Sequence, residues 1–510
     1  MNPILSGFYP DPSICRVDDT FYMVTSTFEY FPSVPIFKSK NLINWTQIGH
    51  CVTDENYLKL SNSKISGGIF APTIRYHNGT FYMITTDVSG IGNFFVTATD
   101  PAGPWSKPIK VDFKGIDPSL YFEGDNVYCN TTGRDTNNNQ GIIMARIDIK
   151  TGECLEDKKF LWTGTGGVYP EGAHIYKHGD KYYLLVAEGG TSMGHMETIA
   201  CSDNIYGPYE SNPANPILTH RNFIGQIQGT GHMDIVQAAD GNFFAVFLGF
   251  RLTESYFHHL GRETFIAPVT WKENEFPIIN DNQPIATSID TSKFPGLPMP
   301  VEKSFVDDFS DDKLNFRYNF LRKSSTVRYE LNHGLTLYGN GVSIDEISTP
   351  AWIGFRQTEF NIEAFFHIKA EMKHTDFCGV TIFYNSTRHF DLCVNNNAVC
   401  IKKRFDDIRE TTFKQFLDDP DANVQAQAKD LVLYIKADEL TYYFGFGDTE
   451  QSASENIVAT GLTRHLATEA AKITFTGVYL AMFVNGEPES KMTVKEIKYN
   501  ALNQPTNAQN

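Results

Sequence analysis

The chain has 510 residues, of which 41% are hydrophobic and 20% charged, and its formal net charge is −17. This composition is typical of a folded globular protein, and the length suits two large domains or about three ordinary ones. Because so acidic a chain repels phosphate backbones and anionic lipid, nucleic acids and membrane surfaces are not expected partners. No apolar run is long enough to span a membrane and the first residues do not resemble a secretory signal, so a cytoplasmic location is expected.

A fivefold repeat occupies the first three hundred residues. Each copy has a two-residue turn of Asp, Asn or Gly, and an aromatic residue stands four positions after the first turn residue: Tyr22, Tyr82, Tyr128, Tyr183 and Phe244. Such turns between β-prone runs are typical of hairpins, because primed turns need positive φ at their central residues. Each interval leaves room for two further strands. The repeat therefore predicts a five-bladed β-propeller over 1–297, with a β-sandwich of accidental similarity as the alternative.

The sequence after the repeat predicts a linker and a second domain. Three prolines between 295 and 300 favour a Pro-rich linker at 298–303. Short alternating segments such as GLTLYG, HFDLCV and KMTVKEIKYN then fill 304–500 and predict an antiparallel β-sandwich. Residues 501–510 are expected to form a polar tail. The predicted fold class is thus all-β, a five-bladed β-propeller followed by a C-terminal antiparallel β-sandwich.

One position recurs seven or eight residues before each hairpin turn of the repeat. Around the ring it is occupied by Asp11, Ala71, Asp117, Glu171 and His232. The first strand of each propeller blade is innermost, so these side chains are expected to converge on the axis. Clustered carboxyls raise one another's pKa, which is costly as structure and typical of a catalytic site. Asp-Pro-Ser alone is an ordinary turn, but repetition at equivalent positions favours function.

The chemistry that suits these carboxyls is glycoside hydrolysis. In that reaction one protonated carboxyl donates a proton to the leaving group and one ionised carboxylate assists the attack. The sequence offers no Ser–His pair, phosphate loop or set of metal ligands that would favour another reaction.

Several motifs resemble those of glycoside hydrolase family 43, specifically its two-domain β-xylosidases. They are SGFYPDPSI, GGIFAPTIRY, GIDPSLYF, GGVYPEGAHIYK, GTGHMDIVQ, LGRETFIAPV and FVDDFSDDKLNFRYNFLR, and they cover nearly the whole chain. The resemblance implies single-displacement, inverting hydrolysis without a required cofactor. It implies Asp11 as general base, Glu171 as general acid, and Asp117 as the carboxylate that orients the acid and sets its pKa.

The resemblance implies further substrate-binding residues, each with a structural alternative. Arg262 is expected to donate to sugar hydroxyls, unless it pairs with Glu263. Phe31 and Phe70 are expected to wall the sugar pocket, unless Phe31 is a core residue. His232 is expected on the axis beneath the acid, or beside a hydrated divalent cation such as calcium, unless it is a hydrogen-bonded core histidine.

Three positions depart from the family pattern. Phe70 stands where this branch usually has Trp, Ala173 where it has Pro, and Met233 where it has Gly. All three are expected to border the pocket, so the preferred sugar and leaving group do not follow from the resemblance.

The sequence thus predicts an inverting, exo-acting β-1,4-xylosidase that releases xylose from the non-reducing end of short neutral xylo-oligosaccharides. An α-L-arabinofuranosidase or a dual-activity enzyme is the nearest alternative, because the two sugars present similar hydroxyl patterns. A non-catalytic carbohydrate-binding propeller is a different class, and it leaves the clustered carboxyls unexplained. The sandwich is expected to close the pocket through a residue that the sequence does not identify. The sequence does not decide whether the chain forms a homo-oligomer.

Overall fold

The computed structural model describes the chain from Asn2 to Leu502, except for residues 136, 324, 374, 396–397, 418–428 and 471–473. In this part the chain is almost entirely β-structure, with one α-helix, α1 (Glu450–Glu455). Short 3-10 turns lie at Glu55–Tyr57, Leu60–Asn62, Asn280–Asn282, Thr291–Lys293, Thr463–Leu466 and Thr468–Ala470. None of the described helices is both long enough and apolar enough to cross a membrane.

The strands of the first domain, apart from the two-residue β3, form five sheets around one axis. In chain order they are β1 (Ser13–Val17), β2 (Thr20–Val24), β3 (Tyr30–Phe31), β4 (Ser33–Ser39), β5 (Thr46–Val52), β6 (Thr73–His77), β7 (Thr80–Asp87), β8 (Gly92–Ala98), β9 (Ile109–Lys110), β10 (Ser119–Glu123), β11 (Asn126–Arg134), β12 (Gln140–Arg146), β13 (Lys159–Trp162), β14 (Glu171–His178), β15 (Lys181–Glu188), β16 (Met196–Ser202), β17 (Glu210–Ser211), β18 (Leu218–Thr219), β19 (Ile227–Gln237), β20 (Phe243–Arg251), β21 (Glu263–Thr270) and β22 (Ile278–Ile279). The blades are β1-β2-β4-β5, β6 to β9, β10 to β13, β14 to β17 with β18 beside β16, and β19 to β22. The predicted five-bladed propeller is confirmed.

The predicted turns join the two inner strands of each blade. Four of them close in two residues, with flanking pairs Val17–Thr20, His77–Thr80, Glu123–Asn126 and His178–Lys181. The fifth is longer, because Gln237 pairs with Phe243. Positive φ at Asp18 and Asn78 supplies the left-handed backbone that such tight turns require.

The second domain is a sandwich of two eight-stranded sheets. Its strands are β23 (Phe305–Asp307), β24 (Asn319–Leu321), β25 (Tyr329–Leu331), β26 (Leu335–Tyr338), β27 (Ala351–Arg356), β28 (Ile362–Glu371), β29 (Phe377–Asn385), β30 (Arg388–Val394), β31 (Ala398–Phe405), β32 (Ile408–Phe416), β33 (Lys429–Ala437), β34 (Thr441–Gly447), β35 (Ile457–Leu462), β36 (Tyr479–Asn485) and β37 (Lys491–Ala501). The first sheet has the order β25-β26-β37-β28-β33-β34-β35, with β23 on β37, and the second the order β3-β24-β27-β36-β29-β30-β31-β32. The predicted antiparallel sandwich is confirmed as part of the all-β fold class.

The two domains share a sheet and a hydrophobic core. Strand β3 leaves the first blade and pairs with β24 of the sandwich, Phe31 with Phe320. One cluster of buried side chains contains Val24 and Phe94 of the propeller together with Phe320 and Ile353 of the sandwich. Because apolar burial is the main stabilising contribution in folding, each domain stabilises the other.

The ends of the predicted domains can be located in the described residues. The segment 298–303 contains no helix or strand, but Asn44 exchanges hydrogen bonds of 2.8 and 2.9 Å with the Met299 backbone, which fixes it to the propeller. The last strand runs through Ala501, and residues 503–510 of the predicted polar tail lie outside the described residues.

Candidate active site

The recurring position before each hairpin turn brings its side chains to one cavity on the propeller axis. The cavity encloses about 380 Å³ of empty space, counting its open mouth. Its lining residues are Asp11, Phe28, Phe70, Ala71, Ile116, Asp117, Glu171, Thr191, His232, Arg262 and Phe475. All five members of the recurring position are present, so the predicted convergence occurs.

The inner strands begin with a strained backbone that aims these side chains. Asp11, Asp117 and His232 have φ values of 55°, 54° and 53°, a region that costs a non-glycine residue about 1–2 kcal/mol. Such strain persists only where the surroundings enforce it, and it is concentrated at functional sites. In blade 4 the equivalent strain falls on Gly172, where φ is 60° and a Cβ would lie 2.8 Å from Nε2 of His232.

A local bulge accounts for the spacing of eight residues in blade 4, whereas blade 5 has both a bulge and a longer turn. The β14–β15 register shifts between Glu171 and His174, and the β19–β20 register shifts between Gly231 and Asp234. A bulge holds one extra residue and re-aims the neighbouring side chain. Blades 4 and 5 therefore present Glu171 and His232 at the height of the aspartates despite their longer spacing.

Asp11 is a buried carboxylate that is held ionised. Burial would raise its pKa, but Arg262, His232 and Ser26 outweigh burial and keep the pKa of Asp11 below its ordinary value. Arg262 donates to both Asp11 oxygens, at 2.8 and 3.4 Å, and the Ser26 hydroxyl donates to Oδ2. The imidazole Nδ1 of His232 lies 3.8 Å from Oδ1. Asp11 can therefore accept a proton at neutral pH.

The pKa values of Glu171 and Asp117 are shifted in the opposite direction, above their ordinary values. Burial and the charge of Asp11 raise the pKa of Glu171 to about 7. Burial, Glu171 and Asp11 raise the pKa of Asp117 well above its ordinary value, against the effect of Arg262. One cavity thus holds a carboxylate whose pKa is lowered beside two carboxyls whose pKa values are raised, that of Glu171 to about 7. Unequal carboxyls of this kind are the acid and base of glycoside hydrolysis.

An aromatic wall closes one side of the cavity and includes a residue of the sandwich. The ring centroids of Phe28, Phe70 and Phe475 lie 5.2 to 6.2 Å apart. The guanidinium of Arg262 lies 5.5 Å from the centroids of both Phe28 and Phe475. The Phe475 backbone N–H donates to the Ser66 hydroxyl at 2.9 Å. Phe475 is therefore the residue by which the sandwich contributes to the site.

Comparison with known proteins agrees with this geometry. Residues 1–277 match the model of glycosyl hydrolases family 43, and residues 306–499 match that of the beta xylosidase C-terminal Concanavalin A-like domain. The chain belongs to glycosyl hydrolases family 43. The predicted family and the prediction of a glycoside hydrolase are thus confirmed.

Relatives within family 43 carry the names of two pentosidase activities. The chain is 37% identical to the non-reducing end alpha-L-arabinofuranosidase BoGH43B of Bacteroides ovatus, over 96% of this chain and 92% of that protein. It is 39% identical to a xylosidase/arabinosidase of Butyrivibrio fibrisolvens, over 77% of this chain and 79% of that protein. The crystal structure of xylan beta-1,4-xylosidase from Bacillus halodurans C-125 has a TM-score of 0.89 and 30% identity, covering 98% of this chain and 99% of that one.

Two expected features of the family 43 pocket are placed differently by the structure. Phe31 does not line the cavity, because it lies in strand β3 at the domain junction, and Phe28 supplies the aromatic wall instead. Ala173 and Met233 are buried in hydrophobic clusters beside the inner strands rather than at the cavity. Of the three departures from the family pattern, only Phe70 therefore contacts the space that the sugar would occupy.

The remaining predicted residues line the cavity. Arg262 pairs with Asp11, whereas its alternative partner Glu263 pairs with Arg251 at 2.8 Å. The ring of His232 lies beside Gly172 close to Asp11, and burial lowers the pKa of His232, so the ring is neutral near pH 7.

A possible axial cation stays a prediction. Across the described residues, the one group of three metal-ligating side chains close enough to share an ion consists of His367, Glu450 and Glu496, in the sandwich. Lys498 already donates to Glu450 and lies 3.4 Å from Glu496, so this group is an ion-pair network.

A polar network directly below the cavity was not predicted from the sequence. We define the axial hub as Ser13, Arg75, Ser119, His174, Tyr176 and Asp234, which together come from all five blades. Asp234 accepts hydrogen bonds from Ser13 at 2.6 Å, from Arg75 at 2.7 and 3.2 Å and from Tyr176 at 2.6 Å. His174 Nδ1 contacts Ser119 at 2.9 Å and Arg75 at 3.0 Å.

The axial hub lies next in sequence to the strained residues that line the cavity. Ser13, Ser119 and Asp234 each lie two positions after Asp11, Asp117 and His232, so the hydrogen bonds of the hub fix the chain just after each strained residue. The two-residue distance from each cavity residue to the hub residue after it can be read from the sequence. A Ser or Asp in a strand nevertheless does not indicate a polar network, because the network forms only when the five strands meet.

Proposed function

We propose that this family 43 enzyme is an inverting, exo-acting β-1,4-xylosidase that acts on short neutral xylo-oligosaccharides. The observation that carries the proposal is the opposite pKa shift of Asp11 and Glu171 within one cavity. An ionised base and a protonated acid are what single-displacement hydrolysis needs at neutral pH.

In this mechanism Glu171 protonates the glycosidic oxygen while Asp11 removes a proton from a water molecule. The water oxygen bonds to the anomeric carbon from the face opposite the leaving group, and the bond from that carbon to the glycosidic oxygen breaks. The sugar is released with inverted anomeric configuration. Arg262 and Asp117 are proposed to bind hydroxyls of the bound sugar and to orient Glu171, respectively.

Exo action is supported by the closed end of the cavity. Phe475 and Arg262 stand where a continuous sugar chain would have to pass if the enzyme cut internally. Only a chain end then reaches Glu171, so each cycle releases a single sugar. The matching name of the Bacillus halodurans structure supports xylose as that sugar.

An α-L-arabinofuranosidase activity is the second candidate. It is supported by the similarity to the arabinofuranosidase of Bacteroides ovatus, which extends over 96% of this chain. Both activities use the same acid and base, so they differ only in how the apolar wall of Phe28 and Phe70 fits the sugar ring.

Two measurements test the proposal. Paired kcat/KM values on aryl β-xyloside and aryl α-L-arabinofuranoside should favour the xyloside, and a preference for the arabinofuranoside would replace xylosidase by the second candidate. Proton NMR of the first product should show α-xylose from a β-xyloside. Early β-xylose would contradict the inverting mechanism and with it the role of Asp11 as base.

A further inference from the structure

The second sheet of the sandwich carries a cleft that shares no lining residue with the active-site cavity. The cleft encloses about 730 Å³ of empty space, its open mouth included. Its floor is formed by the middle of strands β30, β31 and β32, and β29 and β36 border it.

Strand alternation decides which side chains face the cleft. His389 pairs with Arg404, Asp391 with Lys402, and Lys402 in turn with Thr411. Directly paired residues point to the same face of a sheet. The alternating residues Phe390, Leu392 and Ile401 are buried in the core between the two sheets, so the paired polar residues lie on the other face.

Two of the three carboxylates of the cleft, Asp345 and Asp391, are paired with cations. His389 lies between Asp391, at 2.8 Å, and Asp345, at 3.0 Å. Burial opposes a charge on this imidazole, but the two carboxylates outweigh burial and raise the pKa of His389 to about 9. Asp345 also pairs with Arg404 at 2.8 Å and with Arg409 at 3.5 Å. Five positive side chains, counting Lys402, Lys403 and a protonated His389, thus line the cleft with three carboxylates, Asp345, Asp391 and Glu410, in a protein whose net charge is −17.

Lys402 is a cation of the cleft for which the described residues supply no ion pair. Among the described residues no carboxylate oxygen lies within 4.0 Å of its Nζ, although Asp391 is its direct partner in register. The ammonium instead lies 3.2 Å from the ring centroid of Phe377. A half-buried ammonium held over an aromatic ring is a ready partner for an anion, since charge-assisted hydrogen bonds are about twice as strong as neutral ones.

We propose that this cleft binds a sugar acid, with Lys402 pairing with its carboxylate. The cleft is far larger than a bare inorganic anion needs, and it adds neutral hydrogen-bonding groups, Thr411 and Asn485, beside the apolar ring of Phe377. That combination suits a hydroxyl-bearing ring with one negative group. The proposal is independent of the reaction at Glu171.

Equilibrium binding to the full chain tests the proposal, with sodium D-glucuronate as the probe and D-glucose as its neutral match. Lys402→Gln should weaken glucuronate binding about tenfold or more, the effect of losing one hydrogen bond to a charged group. Lys402→Arg should retain binding. Lys495→Gln is the matched control, because Lys495 lies in strand β37 of the other sheet, lines no part of the cleft and pairs with Asp430 at 2.6 Å. All three variants should keep the wild-type kcat/KM on an aryl glycoside.

Each outcome decides between this site and another explanation. The sugar-acid site is supported if Lys402→Gln alone loses glucuronate binding and if the wild type binds glucose at least tenfold more weakly than glucuronate. Equal glucuronate binding in Lys402→Gln and wild type overturns it, as does equal affinity for glucose, and so does an absence of binding. Inorganic phosphate that binds as tightly as glucuronate and competes with it would mean an unspecific anion site, which also overturns the proposal.

Discussion

Glu171 loses its proton near neutrality, and this sets the pH range in which it can act as an acid. Its pKa is raised to about 7, so the carboxyl is protonated below that pH and ionised above it. In Glu171→Ala, cleavage of xylobiose should fall by about 10²–10⁴-fold, because a sugar alkoxide leaves poorly without a proton. Dinitrophenyl xyloside should lose far less, since its leaving group needs none.

The pH profile of kcat/KM checks the same residue. Wild-type activity should decline as the pH rises through about 7. Glu171→Ala should lack this decline on the dinitrophenyl substrate. An equal loss of activity on both substrates in Glu171→Ala would mean that Glu171 positions the sugar rather than protonating the glycosidic oxygen.

Asp117 offers a separate test of which charge controls the acid. The resemblance to family 43 assigns that control to Asp117, whereas the structure attributes the raised pKa of Glu171 to burial and to Asp11. Burial, Glu171 and Asp11 raise the pKa of Asp117 itself well above its ordinary value, which reduces the charge that Asp117 can place beside Glu171. Asp117→Asn should therefore lower kcat but leave the alkaline decline near pH 7. A decline displaced by a full pH unit to the acid side would show that Asp117 carries charge in the working enzyme.

The sequence predicted the carboxyls that line the cavity but not the sandwich residue that joins them there. Asp11, Asp117 and Glu171 could be found because a repeat places them at equivalent positions. Phe475 lies in the other domain and belongs to no repeat, so nothing in its surroundings distinguishes it from a core phenylalanine. Phe28 and Phe31 are three residues apart in one aromatic segment, and only the path of strand β3 decides which of them lines the cavity.

At the level of the strands, the axial hub explains how five separate hairpins keep their inner strands in a fixed arrangement around the cavity. The carboxylate of Asp234 binds side chains of blades 1, 2 and 4, directly below the strained residues that line the cavity. A change of one hub residue is thus expected to affect all five inner strands.

Asp234→Asn tests this stabilisation. The substitution leaves the mostly buried guanidinium of Arg75 without its carboxylate, and breaking a buried pair in this way costs about 3–5 kcal/mol of the free energy of unfolding. Urea unfolding followed by tryptophan fluorescence measures the loss. Lys40→Gln is the control, because it breaks an exposed ion pair with Asp19 and should leave the unfolding midpoint unchanged. A variant Asp234→Asn as stable as the wild type would refute the role of the hub.

For the whole molecule, the order of the domains could be predicted but their dependence on each other could not. The turn spacing predicts the propeller, and the alternating segments predict the sandwich. Strand β3 has only two residues, too few for any periodicity, yet it joins the second sandwich sheet to blade 1. The shared core that follows from this exchange means that a fragment ending at Pro300 would expose apolar surface such as Val24 and Phe94.

A point substitution therefore tests the sandwich better than truncation does. Phe475→Ala removes the ring that contacts Phe28 and Arg262 but leaves both domains and their shared core in place. Because Arg262 holds Asp11, a small displacement of this pair should lower kcat/KM on xylobiose by about 10²-fold. Phe416→Ala, at a half-exposed phenylalanine of strand β32, is the control and should keep the wild-type value. If Phe475→Ala remains folded with unchanged kinetics, the pocket is complete within the propeller and the sandwich acts only through stability. A selective loss shows instead that the active site belongs to both domains, since an exo-acting pocket needs the end wall that the propeller alone leaves open.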